Sequence, residues 1–88
     1  MHSTTLDHTT TAPRAGELAQ QFTADGFVPG APPHVGLEVQ AIDRRVCRQL
    51  RCPACRRRWM AYHPWHRGEQ YRVLAVCQQP GCGGAEEV

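Results

Sequence analysis

The chain has 88 residues, 41% of them hydrophobic, with a formal net charge of +2 and five cysteines. A domain of this size buries too little apolar surface to offset chain entropy unaided, so a disulfide, a metal or a partner is expected to staple it. The odd cysteine count argues against a closed disulfide framework. With no signal-type start and no run long enough to span a bilayer, the expectation is a cytoplasmic protein whose cysteines bind metal.

Residues 1–36 are rich in Thr, Ala, Pro, Gly and His and read as a largely disordered arm and linker. Within the arm, positions 14–25 predict at most a short helix. Leu18 and Phe22 stand at i and i+4, Pro13 lies near its start, and Gly26 is its natural stop. Two apolar residues make a small face, so a transient turn is favoured over a segment that orders on a partner. The run 28–33, Val-Pro-Gly-Ala-Pro-Pro, reads as linker.

Residues 37–88 are expected to form the folded domain. Val39, Ile42, Val46 and Leu50 recur at helical spacing and predict an amphipathic helix whose apolar stripe leads into the first cysteine pair; alternation at Leu37, Val39 and Ala41 leaves a strand open for its start. Beyond it, 59–62 and 71–76 predict two short strands joined by a loop over 64–68.

Cys52-Pro-Ala-Cys55 sets two thiols in a tight knuckle, and proline helps preset the turn. The same spacing serves redox pairs, but those are expected near a βαβ pattern, for which the remaining chain is too short. A second pair, Cys77 and Cys82, closes another turn through Pro-Gly after a strand-like run that brings it back beside the first. Four thiolates then form a closed tetrahedral site, which predicts one structural zinc held by Cys52, Cys55, Cys77 and Cys82. The fold class expected is a small metal-stabilised domain, a zinc ribbon with a short antiparallel sheet and two cysteine knuckles.

Cys47 with Cys52, Cys55 and Cys77 has the ligand order of plant-type ferredoxins, but that assignment leaves Cys82 unexplained. A small core residue on the helix is the favoured role for Cys47, with a reserve ligand as the other. His63 and His66 could complete a two-Cys two-His set, at the cost of stranding Cys77 and Cys82; a solvated loop is preferred. No enzyme constellation is present: no hydroxyl nucleophile beside a base, no phosphate-binding glycine loop, no paired carboxylates. Neither a membrane nor a small-molecule substrate is expected as a partner.

Every basic residue is arginine, and nine of the ten lie between Arg44 and Arg72, where Glu69 is the only acid, a window of formal charge +8. A composition bias of the genome accounts for arginine over lysine equally well, yet arginine suits phosphate and stacking contacts whatever its origin. Arg56, Arg57 and Arg58 follow the first knuckle directly, and with Trp59, Tyr62, Trp65, Arg67 and Arg72 they form the candidate nucleic-acid-binding set. The bland counterpart is a solvated basic face that offsets the roughly −2 charge of a four-thiolate site.

Cys52-Pro-Ala-Cys55, a gap of just over twenty residues, a Tyr-containing strand and Cys77-Gln-Gln-Pro-Gly-Cys82 resemble the zinc ribbon of the Ogr/Delta phage late-transcription activators, over roughly residues 50–85. The resemblance implies zinc on the four matching cysteines and action at promoters with RNA polymerase. The long arm, the early end and the Arg56-Arg57-Arg58 run depart from that pattern. The leading expectation is a zinc-ribbon nucleic-acid-binding protein, DNA foremost, associated with transcription as a regulator or accessory factor. The alternative is a protein-interaction adaptor or accessory subunit whose zinc is purely structural.

Overall fold

The computed structural model describes residues 13–88; the start of the expected arm lies outside them. From Arg14 onward the expectation of disorder is corrected. Helix α1 (Ala15–Ala24) ends in a Schellman closure: Gly26 takes φ +88°, its N–H bonds the Thr23 carbonyl at 3.0 Å, and the Phe27 N–H bonds the Phe22 carbonyl at 2.9 Å. The closure brings Phe27 beside Phe22, with ring centroids 5.7 Å apart. Trp65 meets Phe22 edge-on at 5.3 Å. A face of Leu18 and Phe22 alone is small, but Phe27 and the distant Trp65 complete it, and both phenylalanines are buried.

The expected linker is also ordered in part. Strand β1 (Val28–Pro29) pairs with β2 (Met60–Arg67), setting Val28 opposite His66 and Pro29 opposite Trp65. Proline is tolerated there because the strand lies at the sheet edge. Helix α2 (Leu37–Gln49) follows, then β2, β3 (Gln70–Cys77) and β4 (Ala85–Glu87), giving a four-stranded antiparallel sheet in the order β1-β2-β3-β4.

Strand β2 runs through the segment expected as a loop. Arg67 pairs with Gln70, so the connection shrinks to Gly68-Glu69, a two-residue turn in which only Gly68 has positive φ, at +59°. Pro64 sits mid-strand. Its carbonyl accepts the Gly30 N–H at 2.8 Å, and because N and O of a residue point the same way in a ladder, its missing N–H faces the side where β1 is only two residues long.

Alternation along β3 divides the core in two. Val73, Ala75 and Cys77 join Met60, Cys47 and Cys52 on one face, while Leu74 joins Phe22, Phe27 and Trp65 on the other. Helix α2 covers the first face and α1 the second.

The rotation of α2 differs from expectation. Its inward residues are Cys47, which is fully buried, with Gln40, Asp43 and Leu50 half-buried, whereas Val39, Ile42 and Val46 are exposed. A polar latch sets that rotation: the Tyr71 hydroxyl donates to the Asp43 carboxylate at 2.5 Å, and the Tyr62 and Tyr71 hydroxyls share a hydrogen bond of 2.9 Å. Burial, with the bonds to Asp43 and Tyr62, raises the Tyr71 pKa, so the phenol stays protonated as the donor. Around the helix the inward face is flanked on one side by the exposed apolar stripe and on the other by Arg44 and Arg48.

Candidate metal centre

The first knuckle follows the end of α2. The Cys52 N–H bonds the Arg57 carbonyl and the Arg56 N–H bonds the Cys52 carbonyl, both at 2.8 Å, so the chain turns back within six residues. Arg56 takes φ +68° to make that turn. The second knuckle leaves the end of β3 and returns into β4, with the Cys77 N–H held by the Gly84 carbonyl at 2.9 Å. The two loops have matching local chemistry: the amide two residues after each leading cysteine points at its sulfur, Ala54 N–H to Cys52 Sγ and Gln79 N–H to Cys77 Sγ, each 3.3 Å.

All four Sγ atoms lie within 4.8 Å of one another, with Cys52–Cys82 and Cys55–Cys77 at 3.6 Å. Bonds of about 2.3 Å to a central ion give a tetrahedron with edges of about 3.8 Å, so the sulfurs fit one tetrahedral metal ion with little adjustment. Cys52 and Cys77 are buried, and Cys55 and Cys82 form the half-exposed outer edge. The set fills all four positions with protein.

The titration pattern suits metal loading. Burial would raise Cys52, but the Cys55 and Ala54 amides and the neighbouring thiols outweigh it and bring its thiol down to about 7. Burial pushes Cys77 up to about 12, against the pull of the Gln79 amide and with added weight from the surrounding thiols. Metal binding requires thiolates, so an ion that binds all four sulfurs displaces the protons they hold. Cys47 stands apart: it is not among the four clustered sulfurs, and burial, then Asp43, raises it to about 11. That is the core role expected of it. His63 is exposed on β2, and the His66 Nδ1–H donates to the Gly30 carbonyl at 2.9 Å, so neither histidine enters the cluster.

Two supports lie outside the cysteines. A Cβ on Gly84 would stand 2.6 Å from Cys52 Sγ and 3.0 Å from the Ala54 Cβ, so only glycine leaves the cluster its space. The Gly83-Gly84 pair directly after Cys82 is the sequence signal for it. The second support comes from before α1: the Ala15 N–H bonds the Gly83 carbonyl at 2.8 Å and the Ala85 N–H bonds the Pro13 carbonyl at 3.1 Å. The segment read as an arm thus pins the exit of the second knuckle on either side of Gly84.

The arginines divide into two groups. Arg56, Arg57 and Arg58 are exposed beside the first knuckle, joined by Arg44, Arg45, Arg48 and Arg51 from α2 and its end. Among the described residues none of these seven has a carboxylate partner, and the one salt bridge is Arg72–Glu87. Arg72 is bidentate to Glu87 at 2.7 Å and lies over Phe22, while Arg67 donates to the Asp25 carbonyl at 2.6 Å and lies over Phe27. Arg67 and Arg72 are therefore engaged on the α1 side, while of the seven Arg51 donates to the Arg56 carbonyl and Arg57 to the Gln79 Oε1, each at 3.2 Å. Trp65 is packed beneath α1 and is corrected from a surface residue to a core one. Tyr62 is half-buried, with Arg44 over its ring. Trp59 is 62% exposed beside Arg48. Arg44, Arg45, Arg48 and Arg51 are not among the expected site residues; the proximity of the first three to Trp59 is a tertiary relation that helix periodicity does not give.

No helix among the described residues is long and apolar enough to cross a membrane. Comparison of the chain with family models, with curated proteins and with solved structures yields no match.

Proposed function

We propose that the protein is a zinc-ribbon-type nucleic-acid-binding module, in which one structural zinc on Cys52, Cys55, Cys77 and Cys82 holds an arginine-rich surface in place. Four thiolates favour zinc over oxygen-seeking magnesium or calcium, and a filled coordination shell suits a structural role. The observation that carries the nucleic-acid reading is the seven exposed arginines, 44, 45, 48, 51, 56, 57 and 58, unpaired with any carboxylate among the described residues. Such a surface attracts a polyanion, and the phosphate backbone is the common one. The resemblance of the cysteine pattern to the Ogr/Delta activators adds a transcription-associated role, with RNA polymerase as the kind of complex it would join.

A second reading, the protein-interaction adaptor, is favoured by one observation: Val39, Ile42 and Val46 form an exposed apolar stripe on α2. Anisotropy titration of the zinc-loaded protein against short DNA and RNA separates the two. Binding is expected to weaken steeply between about 50 and 200 mM salt, and Arg56→Ala, Arg57→Ala, Arg58→Ala together are expected to flatten that dependence. Absence of binding at low salt would reject the nucleic-acid reading and leave the adaptor.

A further inference from the structure

Trp59 has two features that stability does not require. Its indole is 62% exposed, and its backbone takes φ +76°, a left-handed conformation that is a true outlier for a bulky side chain. The surroundings hold it there. The Trp59 N–H bonds the Arg48 carbonyl at 3.0 Å, tying the strand entry to α2, and the Arg48 guanidinium lies over one face of the indole, 5.2 Å from its centroid, so a base would stack on the other. Glycine would satisfy the same backbone without strain.

The indole also forms a shared wall between two open recesses. One, about 250 Å³, is bounded by Arg45, Arg48, Gln49, Arg58 and Trp59. The other, about 360 Å³, lies toward Arg44, Tyr62 and Gln78. Each therefore combines an aromatic ring, guanidinium groups and a side-chain amide. The ring can stack on a base, the guanidinium groups can take phosphates, and the amide can meet a base edge.

We infer that Trp59 is a stacking platform for an unpaired base, and that the arginines around it bind the flanking phosphates of a single-stranded segment. Inside a duplex the bases are already stacked on one another and only the end pairs have a free face, so the aromatic element selects for unpaired nucleotides. The inference rests on the nucleic-acid reading above and specifies which form of nucleic acid this surface takes.

The test uses the full zinc-loaded chain with four probes of matched length at one salt concentration: a single-stranded thymidine DNA, a uridine RNA, an abasic DNA strand and a blunt DNA duplex. Binding is followed by anisotropy and by quenching of tryptophan emission. The inference predicts that a base-containing single strand binds at least about tenfold tighter than the duplex or the abasic strand and quenches the emission. Trp59→Ala should lose about 5- to 150-fold for that strand, the range for one base–aromatic stack. Binding to the duplex should change little. Trp59→Phe should recover part of the loss, and Trp59→Gly, which relaxes the backbone, should keep the zinc content and circular dichroism of the parent yet bind as weakly as Trp59→Ala. The DNA and RNA arms identify which sugar is preferred. Equal binding of duplex, abasic and intact strands, or a Trp59→Ala variant that binds unchanged, overturns the stacking platform while leaving a phosphate-binding protein. Failure of every probe to bind overturns the nucleic-acid reading as well, and tight capture of a polyglutamate peptide in their place would assign the recesses to an acidic protein segment.

Discussion

The two faces of the sheet are stabilised by different means. Beneath α1, Phe22, Phe27, Trp65 and Leu74 make an aromatic cluster that burial can sustain unaided. Beneath α2 the buried residues are Met60, Val73, Ala75 and three cysteines, a set with little large apolar surface. A polar latch from Tyr71 to Asp43 and the four-sulfur cluster supply what that face lacks. Seven of the arginines that show no carboxylate partner among the described residues belong to the second face and its knuckle, while Arg14 and Arg67 lie on the α1 side. The two faces thus do different work in the fold: the aromatic cluster packs α1 onto the sheet, and the cysteine-cluster face carries most of the exposed arginines.

The comparison can be broken from either side. Phe22→Ala empties the centre of the aromatic cluster and is expected to cost about 3–5 kcal/mol in denaturant unfolding. If the faces are as distinct as described, its metal content should be unchanged. Gly84→Ala attacks the opposite face, where its Cβ meets Cys52 Sγ at 2.6 Å. About 1–3 kcal/mol of overpacking is expected, read as weaker metal retention in a chelator competition, with Trp65 emission little altered.

The smallest effect concerns pH. Hydrogen bonding from Arg72 holds the Glu87 carboxyl below the usual carboxylate range. A lowered folded pKa gives stability that is present above the unfolded value and lost as pH falls through the folded one. Both partners are about a third exposed, at 34% and 37%, so screening limits the pair to under about 1 kcal/mol. The difference in melting temperature between the parent and Glu87→Gln should therefore be small at pH 7 and vanish on acidification below pH 4.5, the ordinary value.

The cysteine cluster was legible because its information is local: each pair closes its own turn, and an intervening strand is enough to bring the turns together. Gly26 was legible as a helix stop for the same reason. The aromatic face was not, since Phe22 gains its partners from Phe27, across a reversal of the chain, and from Trp65, more than forty residues away. Trp65 itself looked like a surface residue because Pro64 suggested a loop, and proline is admitted mid-strand only where β1 leaves its nitrogen side open. The rotation of α2 was the deepest miss. Periodicity put Val39, Ile42 and Val46 inward, but Asp43 and Cys47 on the adjoining face have the stronger contacts, and those contacts lie across the sheet. That rotation is also what brings Arg44, Arg45 and Arg48 to Trp59.

On the function proposed above, one metal ion on four thiolates orients the basic surface. The most direct test of this is the metal content of the protein by mass spectrometry, measured together with thiol reactivity and nucleic-acid binding before and after chelation. One zinc per chain is expected, with four thiols protected until the chelator is added and binding that disappears with the metal and returns with added zinc. Protein that contains no bound metal, with its four thiols reactive as isolated and its nucleic-acid binding indifferent to chelator, would contradict it.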